Sequence, residues 1–202
     1  MIAKSKNVYL PELDGLRAFA VIIVIINHFN KELLPSGFLG VDIFFLISGY
    51  VITSSLLRRP SKNFGEFIYS FYFRRIKRIL PALIFCVLVT SIFLCFFNHD
   101  PEYEIKTAGA SLLGLSNIYL IKISTNYFSN AADINPFLHT WSLGVEEQFY
   151  FCFPIIFWLL GFNSHKRNFK KYLFIGMISL AIVSLLLFIF IYPITTDFVY
   201  YF

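Results

Sequence analysis

The stretch Ile79–Phe97 reads ILPALIFCVLVTSIFLCFF and contains no charged residue. A helix needs about 20 predominantly apolar residues to cross the hydrocarbon core of a bilayer. This stretch of nineteen residues is therefore predicted to be a transmembrane helix.

Four further apolar runs flank this stretch: Leu16–Phe29, Phe38–Leu57, Phe137–Phe162 and Tyr172–Tyr192. The first is short, and it reaches span length if Leu13 and Leu33 lie near the interfaces. Of the 202 residues, 57% are hydrophobic and 14% are charged, whereas a soluble domain is about 45–50% apolar and about 25% charged. We therefore predict an all-α fold, a polytopic transmembrane helix bundle.

A weaker block, Ala108–Ile121, contains glycine, serine and Asn117, which favours a re-entrant, interfacial or buried segment over a clean span. If this block does not cross, 14 of the 17 Lys and Arg residues fall on one side, whereas crossing leaves 11 there. The positive-inside rule favours the first arrangement. It predicts a cytoplasmic N-terminus and places residues 98–136 outside.

The composition also excludes some classes of function. The net charge of +5 does not indicate nucleic-acid binding, because the basic residues cluster beside apolar spans, where the positive-inside rule explains them. Cys86, Cys95 and Cys152 lie inside apolar blocks and have neither disulfide-framework nor metal-ligand spacing. We predict no metal site.

Ionisable groups inside spans are costly and are therefore candidates for a functional site. Arg17 and His28 are eleven residues apart, which places them on nearly the same helix face, about 16 Å apart along the axis. A neutral imidazole can accept a proton from a hydroxyl near pH 7, so His28 is predicted to be catalytic. Arg17 either snorkels to inner headgroups or belongs to the same site.

A second polar cluster runs from Asn135 to Glu147 and reads NPFLHTWSLGVEE. Asn135 is expected to cap a helix. Glu146 is predicted to orient His28 or stabilise its imidazolium, as carboxylates do in acyl-transfer triads. His139, near the interface, is expected to be structural.

Three neighbours of Glu146 in this cluster are predicted to bind substrate: Trp141, Ser142 and Glu147. The alternatives are an interfacial anchor for Trp141 and a buried salt bridge for Glu147.

Asp42 opens a predicted helix, where the helix dipole favours a carboxylate. Its expected position in the outer half, with His28, makes it a further catalytic candidate. At the inner end of Ile79–Phe97 stand Arg74, Arg75 and Arg78. They either fix topology and contact anionic lipids or bind a phosphorylated donor, since paired guanidinium groups suit phosphate recognition.

Four motifs in order resemble the acyltransferase-3 family of bacterial inner-membrane O-acyltransferases. They are Arg17 with His28 ten residues between them, Gly40–Gly49 (GVDIFFLISG), Phe73–Pro81 (FRRIKRILP) and His139–Tyr150 (HTWSLGVEEQFY). The resemblance covers roughly residues 8–160.

The resemblance implies transfer of an acyl group, commonly acetyl, from cytosolic acyl-CoA to a glycan outside the membrane. Acceptors in the family include lipopolysaccharide O-antigen, exopolysaccharide and peptidoglycan. Arg17 and His28 would correspond to the essential pair, and Arg75 and Arg78 to the acyl-CoA side. No bound cofactor is implied beyond the acyl-CoA substrate.

The resemblance also implies about ten spans, of which residues 1–202 hold five or six at about 20 residues each. The chain is therefore expected to be the N-terminal part of such a transmembrane domain. The motifs around Gly40 and Trp141 look most like members that carry a C-terminal extracytoplasmic SGNH domain, whose own motif is absent from these residues.

Two other interpretations of the function are compatible with the same residues. A non-enzymatic carrier or flippase would use His28 and the glutamates as a proton relay. An inactive, truncated acyltransferase would retain the motifs without the activity.

Overall fold

The computed structural model describes residues 10–58, 61, 63–124, 134–160 and 169–191, excluding the side chains of 169 and 170. These residues contain seven α-helices and no strand: α1 Pro11–Phe29, α2 Leu39–Leu57, α3 Phe64–Phe97, α4 Glu102–Leu112, α5 Ser116–Ser124, α6 Thr140–Leu159 and α7 Phe169–Ile191. The all-α fold predicted from the sequence is confirmed.

The helices fall into two compact units, Met1–Pro60 and Ser61–Phe202. The first unit contains α1 and α2, joined by a short 3-10 turn at Pro35–Phe38. The second contains α3 to α7.

In the first unit, α1 and α2 form a hairpin that depends on two glycines. A Cβ atom on Gly40 would lie 2.6 Å from the carbonyl oxygen of Ala20, and one on Gly37 would lie 2.5 Å from that of Ile23. Both distances are shorter than a van der Waals contact, and the obstructing atoms belong to the backbone. Glycine at these positions therefore allows the start of α2 to pack directly on α1.

In the second unit, α3 and α6 run antiparallel. The ring of Phe67 lies 5.1 Å from that of Trp158 near one end, and further along α3 the guanidinium of Arg75 lies over Tyr150. Beyond these, Leu83 clusters with Leu143. Because α6 returns beside α3, these two helices cross any common layer in opposite directions.

Helix α3 begins at Phe64, fifteen residues before the predicted start of the span at Ile79. The additional turns are amphipathic rather than uniformly apolar, and their buried side chains, Phe67 and Phe71, lie on the side of α3 that faces α6. The basic cluster at 74–78 therefore lies within a continuous helix and not at its first turn.

The weaker apolar block does not form one spanning helix. It is divided between α4 and α5, of eleven and nine residues, with a break at Gly114, whose φ is +68°. Each helix is far shorter than the about 20 residues that a span requires. Several of its residues are buried, including Ala108 and Leu120, so the block is a packed element of the second unit.

Within the described residues, three helical segments are long and apolar enough to cross a membrane: Pro35–Leu57, Phe64–Phe97 and Lys171–Ile191. Every 18-residue window of α1 contains Glu12, Asp14 and Arg17, and α6 carries two glutamates and a glutamine. These two predicted spans are therefore more polar than the other three. The predicted ends at Phe162 and Tyr192 lie outside the described residues. Together the helices are those of a helical membrane bundle.

Candidate functional site

His28 lies in the last turn of α1 with its side chain exposed. Its Nδ1 atom is 2.8 Å from the carbonyl oxygen of Val24, one turn earlier. A carbonyl oxygen can only accept, so Nδ1 carries the hydrogen, and the lone pair of the neutral imidazole is then on Nε2. The helix backbone thus selects the tautomer in which Nε2 is the basic nitrogen.

The residue before His28 fixes the chain that follows it. Asn27 is buried, and its Nδ2 donates to the carbonyl oxygen of Leu34 at 2.8 Å and, more weakly, to that of Pro35 at 3.4 Å. This amide ties the end of α1 to the turn that leads into α2. Sequence reasoning missed Asn27; the available signal was an amide inside an apolar run, which needs hydrogen-bond partners when buried.

Arg17 and His28 both lie on α1, which is continuous between them, so their separation along the axis is about 16 Å, as predicted from helix geometry. Arg17 donates from Nη1 to Asp14 Oδ1 at 3.0 Å. Asp42 is exposed in the first turn of α2 and forms no ion pair within the described residues. All three lie in the first unit.

The basic cluster belongs to the second unit. The guanidinium carbon of Arg75 lies 4.8 Å from the ring centroid of Tyr150 and 5.6 Å from that of Phe71. Both rings are buried, so Arg75 is held between α3 and α6 by cation–π contacts. Arg74 is half-buried, whereas Arg78, one turn further along α3, is exposed.

Glu146 is half-buried on α6. The hydroxyl of Tyr150, one turn later, donates to Glu146 Oε2 at 2.8 Å. Tyr150 therefore contacts a predicted donor-site arginine with its ring and a predicted catalytic carboxylate with its hydroxyl. We refer to these three residues as the Arg75–Tyr150–Glu146 group.

The remaining predicted site residues on α6 have different surroundings. Glu147 packs beneath the break between α4 and α5, where a Cβ atom on Gly114 would collide with its carboxylate. Ser142 donates to the carbonyl oxygen of His139 at 3.2 Å, which directs its hydroxyl back to the helix. Trp141 is half-buried. Substrate binding by these three residues stays a prediction.

A largely buried set of hydrogen-bonded side chains joins α4 and α5 to α6. We call it the polar seam: Thr107, Ser111, Ser116, Asn117, Asn135, Thr140 and Gln148. Asn135 donates to Thr107 Oγ1 at 2.7 Å, the hydroxyls of Ser111 and Thr140 are 2.7 Å apart, and Gln148 donates to Asn117 Oδ1 at 2.8 Å.

The polar seam is internally satisfied. Among the described residues, no fully buried side-chain nitrogen or oxygen lacks a hydrogen-bond partner. Gly144 completes the contact, since a Cβ atom there would lie 2.9 Å from Asn117 Oδ1. A network of this kind fixes the rotation of α6, and with it the positions of Glu146 and Glu147.

The structure thus places the predicted site residues in two groups. Arg17, His28 and Asp42 lie in the first unit, and Tyr150 connects Arg75 with Glu146 in the second. Within the described residues, no three His, Cys, Asp or Glu side chains converge as metal ligands would.

Comparison with known proteins gives a consistent set of relatives. Residues 10–202 match the acyltransferase-3 family model, described as an acyltransferase domain. The chain is 43% identical over 190 residues to the O-acetyltransferase OatA of Staphylococcus aureus strain NCTC 8325 / PS 47, covering 94% of this chain and 31% of that protein. It is similarly related to OatA of strain MRSA252, with the same identity and coverage.

A further relative in S. aureus strain COL, provisionally named an O-acetyltransferase, is 42% identical over 194 residues, covering 96% of this chain and 32% of its own length. The chain therefore spans about a third of the length of the curated relatives it matches. No solved structure matches it.

Proposed function

Since this chain belongs to the acyltransferase-3 family, we propose that it serves the transfer of an acetyl group from cytosolic acetyl-CoA to a hydroxyl of a cell-surface glycan. The names of its relatives support an O-linked acetyl product. The chain would lie in the bacterial cytoplasmic membrane with its N-terminus inside, because that orientation places most Lys and Arg residues in the cytoplasm.

The donor would bind at the basic cluster of α3. Coenzyme A carries phosphate groups, and guanidinium groups donate to phosphate oxygens in a planar, often bidentate geometry. Arg75 is held in place by two aromatic rings, and exposed Arg78 is one turn away, with Arg74 adjacent to Arg75. This arrangement offers the donor one guanidinium fixed by aromatic rings and one exposed guanidinium.

The observation that carries the chemical proposal is the hydrogen bond from His28 Nδ1 to the Val24 carbonyl oxygen. It leaves Nε2 as the basic nitrogen. As a general base, Nε2 would take the proton from the glycan hydroxyl while the hydroxyl oxygen attacks the thioester carbonyl. The C–S bond then breaks, and the imidazolium returns the proton to the coenzyme A thiolate.

An alternative order of steps uses the same atoms. Nε2 would attack the thioester carbonyl, break the C–S bond and release the coenzyme A thiolate, forming an acyl-imidazole. The glycan hydroxyl oxygen would then attack the acyl carbon, the C–N bond would break, and the hydroxyl proton would pass to the thiolate. In both versions we assign Asp42, which lies in the same unit, to orienting or stabilising His28, and Arg17 to the inner end of the same helix face. Glu146 is assigned as the catalytic carboxylate of the second unit. The acceptor would be peptidoglycan, exopolysaccharide or O-antigen.

The test follows label from radiolabelled acetyl-CoA into surface glycan, using membranes from cells that express the wild-type gene, His28→Ala or His139→Ala. We expect His28→Ala to lower incorporation by about a hundredfold or more, because general bases contribute about 10²–10⁴ to a rate. His139, exposed and outside the proposed site, provides the matched control, and its replacement should leave incorporation close to wild type.

Full incorporation by His28→Ala would contradict the assigned role of this histidine. Absence of label with the wild type as well would contradict acetyl-CoA as donor and would favour a carrier that moves glycan without consuming acyl-CoA.

A further inference from the structure

Tyr72 and Tyr150 both lie between α3 and α6, and their hydroxyls donate to different kinds of acceptor. Tyr72 of α3 donates from its hydroxyl to the backbone carbonyl oxygen of Phe151 at 2.8 Å. Tyr150 of α6 donates to the side-chain carboxylate of Glu146, also at 2.8 Å. The Tyr72 bond ties helix to helix, whereas the Tyr150 bond holds one charged side chain.

The ring of Tyr150 also holds a charge of opposite sign. Arg75 lies over it at 4.8 Å, closer than over Phe71 at 5.6 Å. A cation–π contact uses the face of the guanidinium, so it is compatible with N–H donation to phosphate oxygens in the guanidinium plane. The ring therefore orients Arg75 without using its donating edges.

Burial makes both contacts effective. Tyr150 is 6% exposed and Phe71 is 2% exposed, so water competes little with either the cation–π contact or the hydrogen bond. On α6 the ring of Phe149 stacks on Phe153 at 4.8 Å and lies 6.4 Å from Tyr150, which restricts the local packing. Tyr150 thus occupies a fixed position between a cation on α3 and an anion on α6.

We propose that Tyr150 is a positioning residue with two roles, one in donor binding and one in catalysis. Its ring orients Arg75 for the phosphates of the acyl donor, and its hydroxyl orients the carboxylate of Glu146. This inference rests on the function proposed above. It predicts that the two halves of the side chain have separable effects on the kinetics.

The experiment uses the purified protein encoded by the gene, in mild detergent, with Tyr150→Phe, Tyr150→Leu and Tyr72→Phe. Tyr150→Phe retains the ring and removes the hydroxyl. It should lower kcat about tenfold, the effect of one hydrogen bond to a charged group, and leave KM for acetyl-CoA within about twofold. Tyr150→Leu should also raise KM by about tenfold, since the cation–π contact is lost.

Tyr72→Phe provides the matched control, because it removes a tyrosine hydroxyl from the same helix pair without affecting a charged group. It should leave kcat and KM near wild type. Binding is measured separately as the rise in thermal midpoint on adding coenzyme A. Wild type and Tyr150→Phe should show the rise, and Tyr150→Leu and Arg75→Ala should lose most of it.

A double variant tests the link to Glu146. If the hydroxyl acts through this carboxylate, adding Tyr150→Phe to Glu146→Gln should cause no further fall in kcat. Kinetics of Tyr150→Phe indistinguishable from those of Tyr72→Phe, beside an impaired Glu146→Gln, would overturn this inference alone. Wild-type kcat in Glu146→Gln would overturn the proposed role of Glu146 and this inference with it.

Discussion

The two units bring their helices together by opposite means. In the first, α1 and α2 approach because side chains are absent at Gly37 and Gly40. In the second, α4 and α5 meet α6 through the hydrogen-bonded side chains of the polar seam. Most large apolar side chains of both units face outward.

This difference shows what positions helices in an apolar solvent. Lipid is as apolar as leucine, so burial of apolar side chains gives little driving force for helix association, whereas close backbone packing and interhelical hydrogen bonds do. In each unit the residues that fix the helices lie within one or two turns of the predicted site residues. Asn27 precedes His28, and Gln148 lies between Glu147 and Tyr150 in α6.

The largest effect on stability should come from Gly40→Ala. Its methyl group would lie 2.6 Å from the backbone oxygen of Ala20, which cannot move without shifting α1, so we expect a loss of about 3 kcal/mol, the upper end of overpacking costs. Gly49→Ala in the same helix is the control, since nothing lies within 4 Å of its added methyl. Unfolding by SDS titration in mixed micelles measures both.

Equal stability of the two alanine variants would show that direct backbone contact does not hold α1 and α2 together. The contrast between the first unit and the hydrogen-bonded second unit would then be wrong.

The polar seam is tested by Asn117→Ala, for which we expect a loss of about 2 kcal/mol. Asn117 is fully buried and accepts from Gln148, so its removal deprives a half-buried donor of this acceptor, and an unsatisfied donor costs about 1–3 kcal/mol. The control is Asn98→Ala, which removes a 3.3 Å bond to Glu104 and a 3.1 Å bond from the backbone N–H of Asp100 at a less buried position. The same SDS titration applies.

A cost for Asn117→Ala no greater than that for Asn98→Ala would show that the polar seam does not fix α6.

The smallest effect is expected for Asp14→Asn, which breaks the ion pair with Arg17. Such partly exposed i,i+3 pairs contribute below about 0.5 kcal/mol. Glu102→Gln, which breaks the exposed pair with Lys106 in the second unit, should be similarly small. The difference between the units should thus disappear for surface charges, and a large effect of Asp14→Asn alone would indicate a further role for Arg17.

Much of the helical architecture could be predicted from hydropathy, because a transmembrane helix requires an apolar run of matching length in the sequence. The start of α3 could not. Arg74, Arg75, Lys77 and Arg78 interrupt the apolar run before Ile79, yet the helix extends back to Phe64. Packing of Phe67 and Phe71 toward α6 stabilises those turns, and this is a tertiary contact that no local pattern reveals.

Asn135 shows a similar limit. Its position before Pro136 predicted a helix cap, but α6 begins at Thr140. Its side chain accepts from the backbone N–H of Phe137 at 2.9 Å and donates to Thr107, so it stabilises a turn and the polar seam instead. The prediction of a helix cap at Asn135 was wrong because its partner lies 28 residues away.

The candidate site shows a similar limit. Residue chemistry alone selected His28, Arg17, Glu146 and the arginine cluster as candidates, because charged groups are rare in apolar helices. Tyr150 was not selected, since a tyrosine in an aromatic run resembles ordinary packing. The role proposed for Tyr150 depends on Arg75, which is 75 positions earlier, and the contact between them forms only when the helices are assembled.

The break at Gly114 has a consequence for topology. Since α3 and α6 are antiparallel, both ends of the segment between them belong on one side of a bilayer that these two helices cross. The left-handed backbone of Gly114 divides an apolar stretch that would otherwise approach the length of a span. One glycine thus keeps the described part of this segment as two short helices, neither of which is long enough to cross a bilayer.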